Sequence, residues 1–301
     1  MNPPSSRFFA RLHCFVTAVT ALVVTIAVAS CYRNPGSVLE RMSNARQIAA
    51  RLQVEFTQAS DATNLAVMAD TNEASAQFAR ETEQKMLAVQ RDAEALRPLL
   101  ASLMFSGEKD LLDRFEQQLA TYRTLDRNIL ELAVASTNLK AQRLSFGPAQ
   151  QAADDFRVAL EGVAQGVSEN SCQVQALCFR ALAALRQIQA LQAPHIASPL
   201  DDVMTRLEQE MTAAEADARS ALQSLAALTR ADTKTKVAAA EATLDRFVQC
   251  NQQIIALSRR NSNVRSLALA LGQKRKLAAQ CEDSLRELNE SLARRGFSAT
   301  R

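Results

Sequence analysis

One stretch of this chain is written twice, and that duplication constrains the fold more than any other feature. Residues 128–147 read N-I-L-E-L-A-V-A-S-T-N-L-K-A-Q-R-L-S-F-G, and residues 253–272 read Q-I-I-A-L-S-R-R-N-S-N-V-R-S-L-A-L-A-L-G. A single ungapped offset of 125 pairs Asn138 with Asn263, Ile129 with Ile254, Leu132 with Leu257, Leu144 with Leu269 and Gly147 with Gly272. The same offset carries outward, aligning Glu83-Gln84-x-Met86 with Glu208-Gln209-x-Met211 and Tyr122 with Phe247. Shared Ala and Leu richness does not produce an ungapped match at these residue types. The chain is a tandem duplication of one supersecondary unit.

That unit is helical. The 301 residues include only 7 Gly, 7 Pro and 5% aromatics, with no Trp, the composition of long helices packed along seams. Apolar residues at steps of three and four predict a first helix over about 38–69 and a second over about 72–105, kinked near Pro98. A third runs from the Ser106-Gly107 loop to Phe146. Its seam is read through Leu125, Ile129, Leu132, Ser136, Leu139, Arg143 and Phe146, with Gly147-Pro148 as a stop. The next helix is expected to end at Ala193-Pro194-His195, with Gly162 and Gly166 as a hinge between modules; Ser198-Pro199 then restarts the pattern. Short loops make the helices antiparallel neighbours. The expected fold is all-α: tandem antiparallel up-down bundles of the four-helix-bundle type, the first over 38–164 and the second over 165–296.

Residues 1–31 read as a membrane-targeting segment, with Arg7 and Arg11 before an apolar run from Cys14 to Ser30. Three fates stay open. Val28-Ala29-Ser30-Cys31 resembles a bacterial lipobox, making Cys31 the lipid site; Ala27-Val28-Ala29 fits ordinary cleavage; or the run persists as an anchor of marginal spanning length. All three place the remainder outside the cytoplasm, tethered to or released at a membrane. Disulfides are permitted there, and Cys172 and Cys250 lie at similar heights in an antiparallel module, so they are the candidate pair beside the alternative of core thiols.

Enzyme chemistry finds no footing. The only histidines are His13 and His195; there is no Cys-x-x-Cys, no phosphate-cradling Gly loop and no Gly-x-Ser-x-Gly. Adjacent acids such as Asp154-Asp155 and Asp201-Asp202 point to different helix faces. No metal site, no cofactor and no catalytic function is expected. The balanced charge, +3 formally, without a basic patch interleaved with aromatics, argues against nucleic acid.

The run from Glu94 to Glu161, above all S-T-N-L-K-A-Q-R-L-S-F-G-P-A from Ser136, resembles the periplasmic four-helix-bundle sensor domain of bacterial methyl-accepting chemotaxis receptors. In that family a membrane helix enters the bundle and a polar N-T-N-like stretch sits on the third helix; here S-T-N ends at Asn138 and N-S-N at Asn263. The family continues into a second membrane helix, a relay module and a signalling hairpin, none of which follows here. The resemblance implies a small polar or anionic ligand gripped by arginines, for which Arg41, Arg46 and Arg51 are the candidates, with Arg157 behind them. Asn138 and Asn263 either line a small polar cavity or fix helix register. In the register role, Asn138→Leu should keep or raise thermal stability.

Two functional classes follow. One is an extracytoplasmic, membrane-tethered sensor or binding module that signals through a separate protein partner or as a homodimer. The other is a structural bundle near the membrane with no small ligand. A sizeable polar cavity between helices favours the first; a dry core with an exposed apolar stripe favours the second.

Overall fold

The computed structural model describes residues 35–167 and 170–298, and every regular element among them is helical. Helix α1 spans Pro35–Met68, α2 Asn72–Ser102, α3 Ser106–Ala135 and α4 Thr137–Leu144. A five-residue π-helical turn, Ser145–Ala149, leads into α5, Gln150–Gln165. Then come α6 (Ser171–Ala197), α7 (Asp201–Leu228), α8 (Ala231–Arg260) and α9 (Ser262–Leu269). A second π-helical turn, Ala270–Lys274, leads into α10, Arg275–Ser298. The targeting segment expected over 1–31, with Cys31, lies outside the described residues. No helix among the described residues is long and apolar enough to cross a membrane.

The duplication reappears in the backbone. α3 and α8, α4 and α9, and the two π-helical turns each stand at the same offset of 125 residues. Both copies break their long helix in the same way, with one residue in the left-handed region: Ser136 at φ 47° and Asn261 at φ 52°. The third helix therefore stops at Ala135 rather than running to Phe146. Gly147-Pro148 is not a stop either. A π turn takes one extra residue and shifts bonding to i→i−5, so Pro148 sits where the α-helical ladder is already interrupted and the chain continues into α5. Pro98 and Pro194 also lie within helices, and the α2–α3 connection turns at Met104, φ 57°, two residues before the expected Ser106-Gly107 loop.

The seam on α3 runs one register away from the expected one. Leu119, Tyr122, Asp126, Ile129, Ala133 and Ser136 are all buried, stepping three, four, three, four and three. Their counterparts Leu244, Phe247, Asn251, Ile254, Ser258 and Asn261 are buried on α8. Leu125, Leu132 and Leu139 are only half-buried, and Arg143 and Phe146 are exposed.

The helices form two compact units, and these are not the sequence halves 38–164 and 165–296. One is built from residues 35–55, 88–116 and 282–298, the other from 56–87 and 117–281. A 30-residue helix makes its contacts locally along its length, so α1, α2, α3 and α10 each lend segments to both. In the first unit, α1 buries Met42, Ala45, Ala49 and Leu52, α2 buries Val89, Ala93, Leu96 and Leu100, and α10 buries Leu285, Leu288 and Leu292. In the second, α5, α6, α7 and α8 pack on one another around a core that includes Phe156, Leu160, Leu185, Leu222, Leu244 and Phe247.

Candidate ligand cavity

Asp126 stands at a seam position of α3 where the heptad pattern calls for an apolar residue. Its side chain belongs to a residue only 3% exposed, and its Oδ1 has no hydrogen-bond partner. One turn earlier, the Tyr122 hydroxyl is likewise buried and unpartnered, while the ring packs edge-on against Phe56 with centroids 5.1 Å apart. Lys274, from the second π-helical turn, is 2% exposed. Its Nζ donates to Ser60 O and Asn64 Oδ1 on α1, both at 2.8 Å, and lies 6.0 Å from the Tyr122 ring centroid. Burial raises the Asp126 carboxyl above the ordinary aspartate value, opposed by the Lys274 charge and then by the neighbouring Thr63 and Tyr122 hydroxyls. Burial pulls Lys274 down to about 8, opposed by Asp126 and Asp61. The Tyr122 hydroxyl is pushed up, first by burial and then by the Asp126 charge.

Beside Asp126 a cavity of about 720 Å³ opens between α2 and α3. From α2 come Ala76, Ala79, Thr82 and Met86, with Arg80 and Glu83; from α3 come Asp126, Leu130, Val134 and Ala135, with Arg123, Arg127 and Glu131. Its volume lies in the range of small-molecule sites, and its lining fits one: mostly apolar walls and a few convergent polar groups.

The second copy of the repeat fills the equivalent place. Ala79 corresponds to Met204, which is fully buried, and Val134 to Arg259, whose guanidinium holds Glu208 at 2.6 and 2.9 Å. Asp126 corresponds to Asn251, which accepts from Gln192 Nε2 at 2.9 Å and donates to Met211 Sδ at 3.6 Å. Tyr122 corresponds to Phe247, and Lys274 stands where the first copy has Ala149. One copy thus satisfies its seam amide and packs over it. The other carries a buried carboxyl at that position, in the lining of the cavity.

The residues singled out from sequence are engaged elsewhere. Arg46 donates to the carbonyls of Leu292 and Ala293 at 2.9 and 2.8 Å, and Arg51 grips Asp92 through two bonds of 2.7 and 2.5 Å. Arg157 pairs with Glu161 on its own helix. All three serve as packing cations on helix surfaces. Cys172 and Cys250 are free thiols: Cys172 faces solvent at the start of α6, while Cys250 packs against the core of the second unit.

Asn138 and Asn263 do meet, but across a two-fold-like contact between the repeats. Asn138 N–H donates to Asn263 Oδ1 and Asn263 N–H to Asn138 Oδ1, each at 3.1 Å. Thr137 N–H donates to Ser262 Oγ at 2.9 Å, and Ser262 N–H to Thr137 Oγ1 at 3.1 Å. Each copy therefore caps the orphan first-turn donors of the other copy's short helix. Asn138 Nδ2 also donates to Ile196 O and Asn261 Oδ1, at 2.7 and 2.9 Å. Both ends of the Asn138 side chain and the Oδ1 of Asn263 are thus engaged within the protein.

His195, expected in a turn, is buried in the last turn of α6. Its Nδ1 lies 2.6 Å from Ser258 Oγ and its Nε2 2.7 Å from Glu208 Oε1. The Ser–His–Glu order is that of a nucleophilic relay, yet Ser258 is fully buried and its hydroxyl donates to Ile255 O at 3.2 Å. Arg259, then burial in opposition, then His195 hold Glu208 below its ordinary value, as in a structural network. No three or more His, Cys, Asp or Glu side chains among the described residues group as metal ligands.

No protein-family model matches this chain, and neither does any curated protein or solved structure.

Proposed function

We propose that the chain is a ligand-binding helical module of the sensor type. Its N-terminal segment tethers it at the extracytoplasmic face of a membrane, and its signal passes to a separate protein. The observation that carries this reading is the cavity between α2 and α3, with the buried Asp126 among the residues that line it. Burying a carboxyl costs free energy, and a purely structural bundle gains nothing from one at a seam position that the other copy fills with an amide. The second copy, where the same position is an amide with both partners present, is the arrangement a structural role favours. The tandem-bundle reading accompanies this: α5–α8 form one bundle and α1–α3 with α10 the other, so the copies exchange their last helices.

The test is a thermal-shift screen of a chemically broad small-molecule library on the full chain and on Ala79→Met, which fills the cavity as Met204 does in the second copy. Compounds that raise Tm in the wild-type chain only are the expected outcome. A library that shifts neither protein, or shifts both alike, sinks the binding reading. In the same preparations Cys31→Ala should leave the membrane fraction or accumulate as precursor; unchanged fractionation and mass assign the tether to a retained helix.

A further inference from the structure

We infer that the exposed face of the two π-helical turns, with the short helices that lead into them, docks on an anionic lipid surface. Lys140 and Arg143 of the first copy and Arg265 and Lys276 of the second meet the headgroup phosphates. Phe146 and Leu271 enter the boundary between headgroups and acyl chains. This goes beyond the binding reading above and makes no use of the α2–α3 cavity.

Carboxylates are missing from both segments. No Asp or Glu lies between Glu131 and Asp154, nor between Asp245 and Glu282. Elsewhere in the same unit arginines are neutralised: Arg157, Arg180, Arg186, Arg219, Arg246 and Arg259 each pair with a carboxylate. Lys140, Arg143, Arg265, Arg275 and Lys276 are exposed and make no ion pair or side-chain hydrogen bond among the described residues. A face with bases and no acids is drawn to an anionic surface.

The large apolar residues sit in the same stripes. On the inner side of α4 and its π turn, Ala141 belongs to the core, and Asn138 and Ser145 bond Ile196 O and Gln192 Oε1 on α6 at 2.7 and 2.6 Å. Lys140, Arg143 and Phe146, at steps of three, lie on the other side. In the second copy Ser262, Ser266, Ala270 and Lys274 are buried, while Arg265, Leu271 and Lys276 are exposed. Phe146 and Leu271 are equivalent residues of the repeat, 71% and 66% exposed. Each is carried by a π-helical turn, a geometry frequent at functional sites. The reciprocal bonds of residues 137–138 with 262–263 relate the stripes by a two-fold-like axis, so they stand on either side of it. Bases flanking a large apolar side chain fit a membrane interface. Single-stranded nucleic acid instead needs aromatic platforms, and Phe146 is the only exposed aromatic in either acid-free segment.

The chain has no Trp, so Phe146→Trp, Leu271→Trp and, on α6, Phe179→Trp each place a single fluorescent reporter in the full chain. Phe179 is as exposed as Phe146 and lies outside both stripes. Each variant is mixed with phosphatidylcholine vesicles and with equimolar phosphatidylglycerol–phosphatidylcholine vesicles, with and without brominated acyl chains. Emission from positions 146 and 271 should shift to the blue and be quenched by bromolipid in the anionic vesicles only. Phe179→Trp should keep its emission in both. Each reporter reads its own position, so the way the N-terminal segment holds the chain does not enter. In the Phe146→Trp background, Lys140→Glu with Arg143→Glu should abolish the shift while circular dichroism stays unchanged, and molar salt should do the same. No shift at 146 and 271, equal shifts in both vesicles, the same shift at 179, or a shift that survives charge reversal overturns the inference. A blue shift with polyglutamate or duplex DNA and none with vesicles also overturns it, and assigns the face to an acidic macromolecule. None of these outcomes moves the thermal-shift comparison with Ala79→Met, so the cavity reading stands or falls separately.

Discussion

Lys274 is an ammonium group held where water has little access, and this sets how the fold responds to alkali. Its folded value is about 8, below the ordinary lysine value of 10.5. Between those two pH values the unfolded chain binds more protons than the folded one, so stability rises with pH across that window and is lost again as pH falls through about 8. The full shift corresponds to about 3 kcal/mol at most. Tyr122 acts in the opposite sense at higher pH: burial keeps it protonated in the fold, so stability falls once unfolded tyrosine ionises above about 10. Urea midpoints should therefore climb from pH about 7.5 to about 9.5 and then turn down, and Lys274→Met should flatten the climb. A wild-type profile that is level or falling over that range contradicts the assignment. Asn138 gives a second residue-scale outcome, with the sign reversed from the sequence expectation. Asn138→Leu strands Asn263 N–H, Asn261 Oδ1 and Ile196 O, so it should cost about 2–4 kcal/mol rather than keep or raise stability. Thermal melts with Asn138→Leu at or above wild type would return the asparagine to a register role alone.

At the scale of elements, the helices were legible because a step of three and four survives along nearly every segment, and short loops follow from few Gly and Pro. What was not legible is where a long helix breaks without a breaker. Ser136 enters the left-handed region although it is not glycine; only the second copy, with Asn261, carries a residue suited to that backbone. The compensation is tertiary, since the caps of α4 and α9 come from the other copy, and periodicity within one segment contains no trace of it. The cavity was missed for a related reason. A seam counted from Leu125 puts Asp126 on the flank, whereas one counted from Tyr122 puts it inside, and comparison with Asn251 marks it as the position where the copies diverge. The partners of the candidate arginines were not legible because a guanidinium on a helix face reads the same in sequence whether it grips a ligand or, like Arg46, a neighbouring helix's carbonyls.

At the scale of the whole molecule, the sequence reading has each copy fold on itself, over 38–164 and 165–296, whereas the contacts of α5 and α10 run to the other copy. Residues of the first copy, α5, pack into the core with α6, α7 and α8, and Lys236 Nζ of α8 donates to Gly162 O of α5 at 3.1 Å. Residues of the second copy, α10, are held by the first: Arg46 of α1 binds the Leu292 and Ala293 carbonyls, and Asn289 Nδ2 donates to Gln53 Oε1 at 2.8 Å. The reciprocal Thr137–Ser262 and Asn138–Asn263 bonds add a third set of ties. Cutting the chain between the copies therefore severs one covalent link and none of these contacts. With a protease site introduced at residues 167–170 of the full chain, cleavage should leave the two fragments co-eluting as one species with unchanged helicity. They should separate only in denaturant, and Asn138→Leu should lower the denaturant needed. Fragments that part on a sizing column in native buffer, each keeping its helicity, would mean that every copy is a bundle sufficient to itself, and the exchange of α5 and α10 would have to be abandoned.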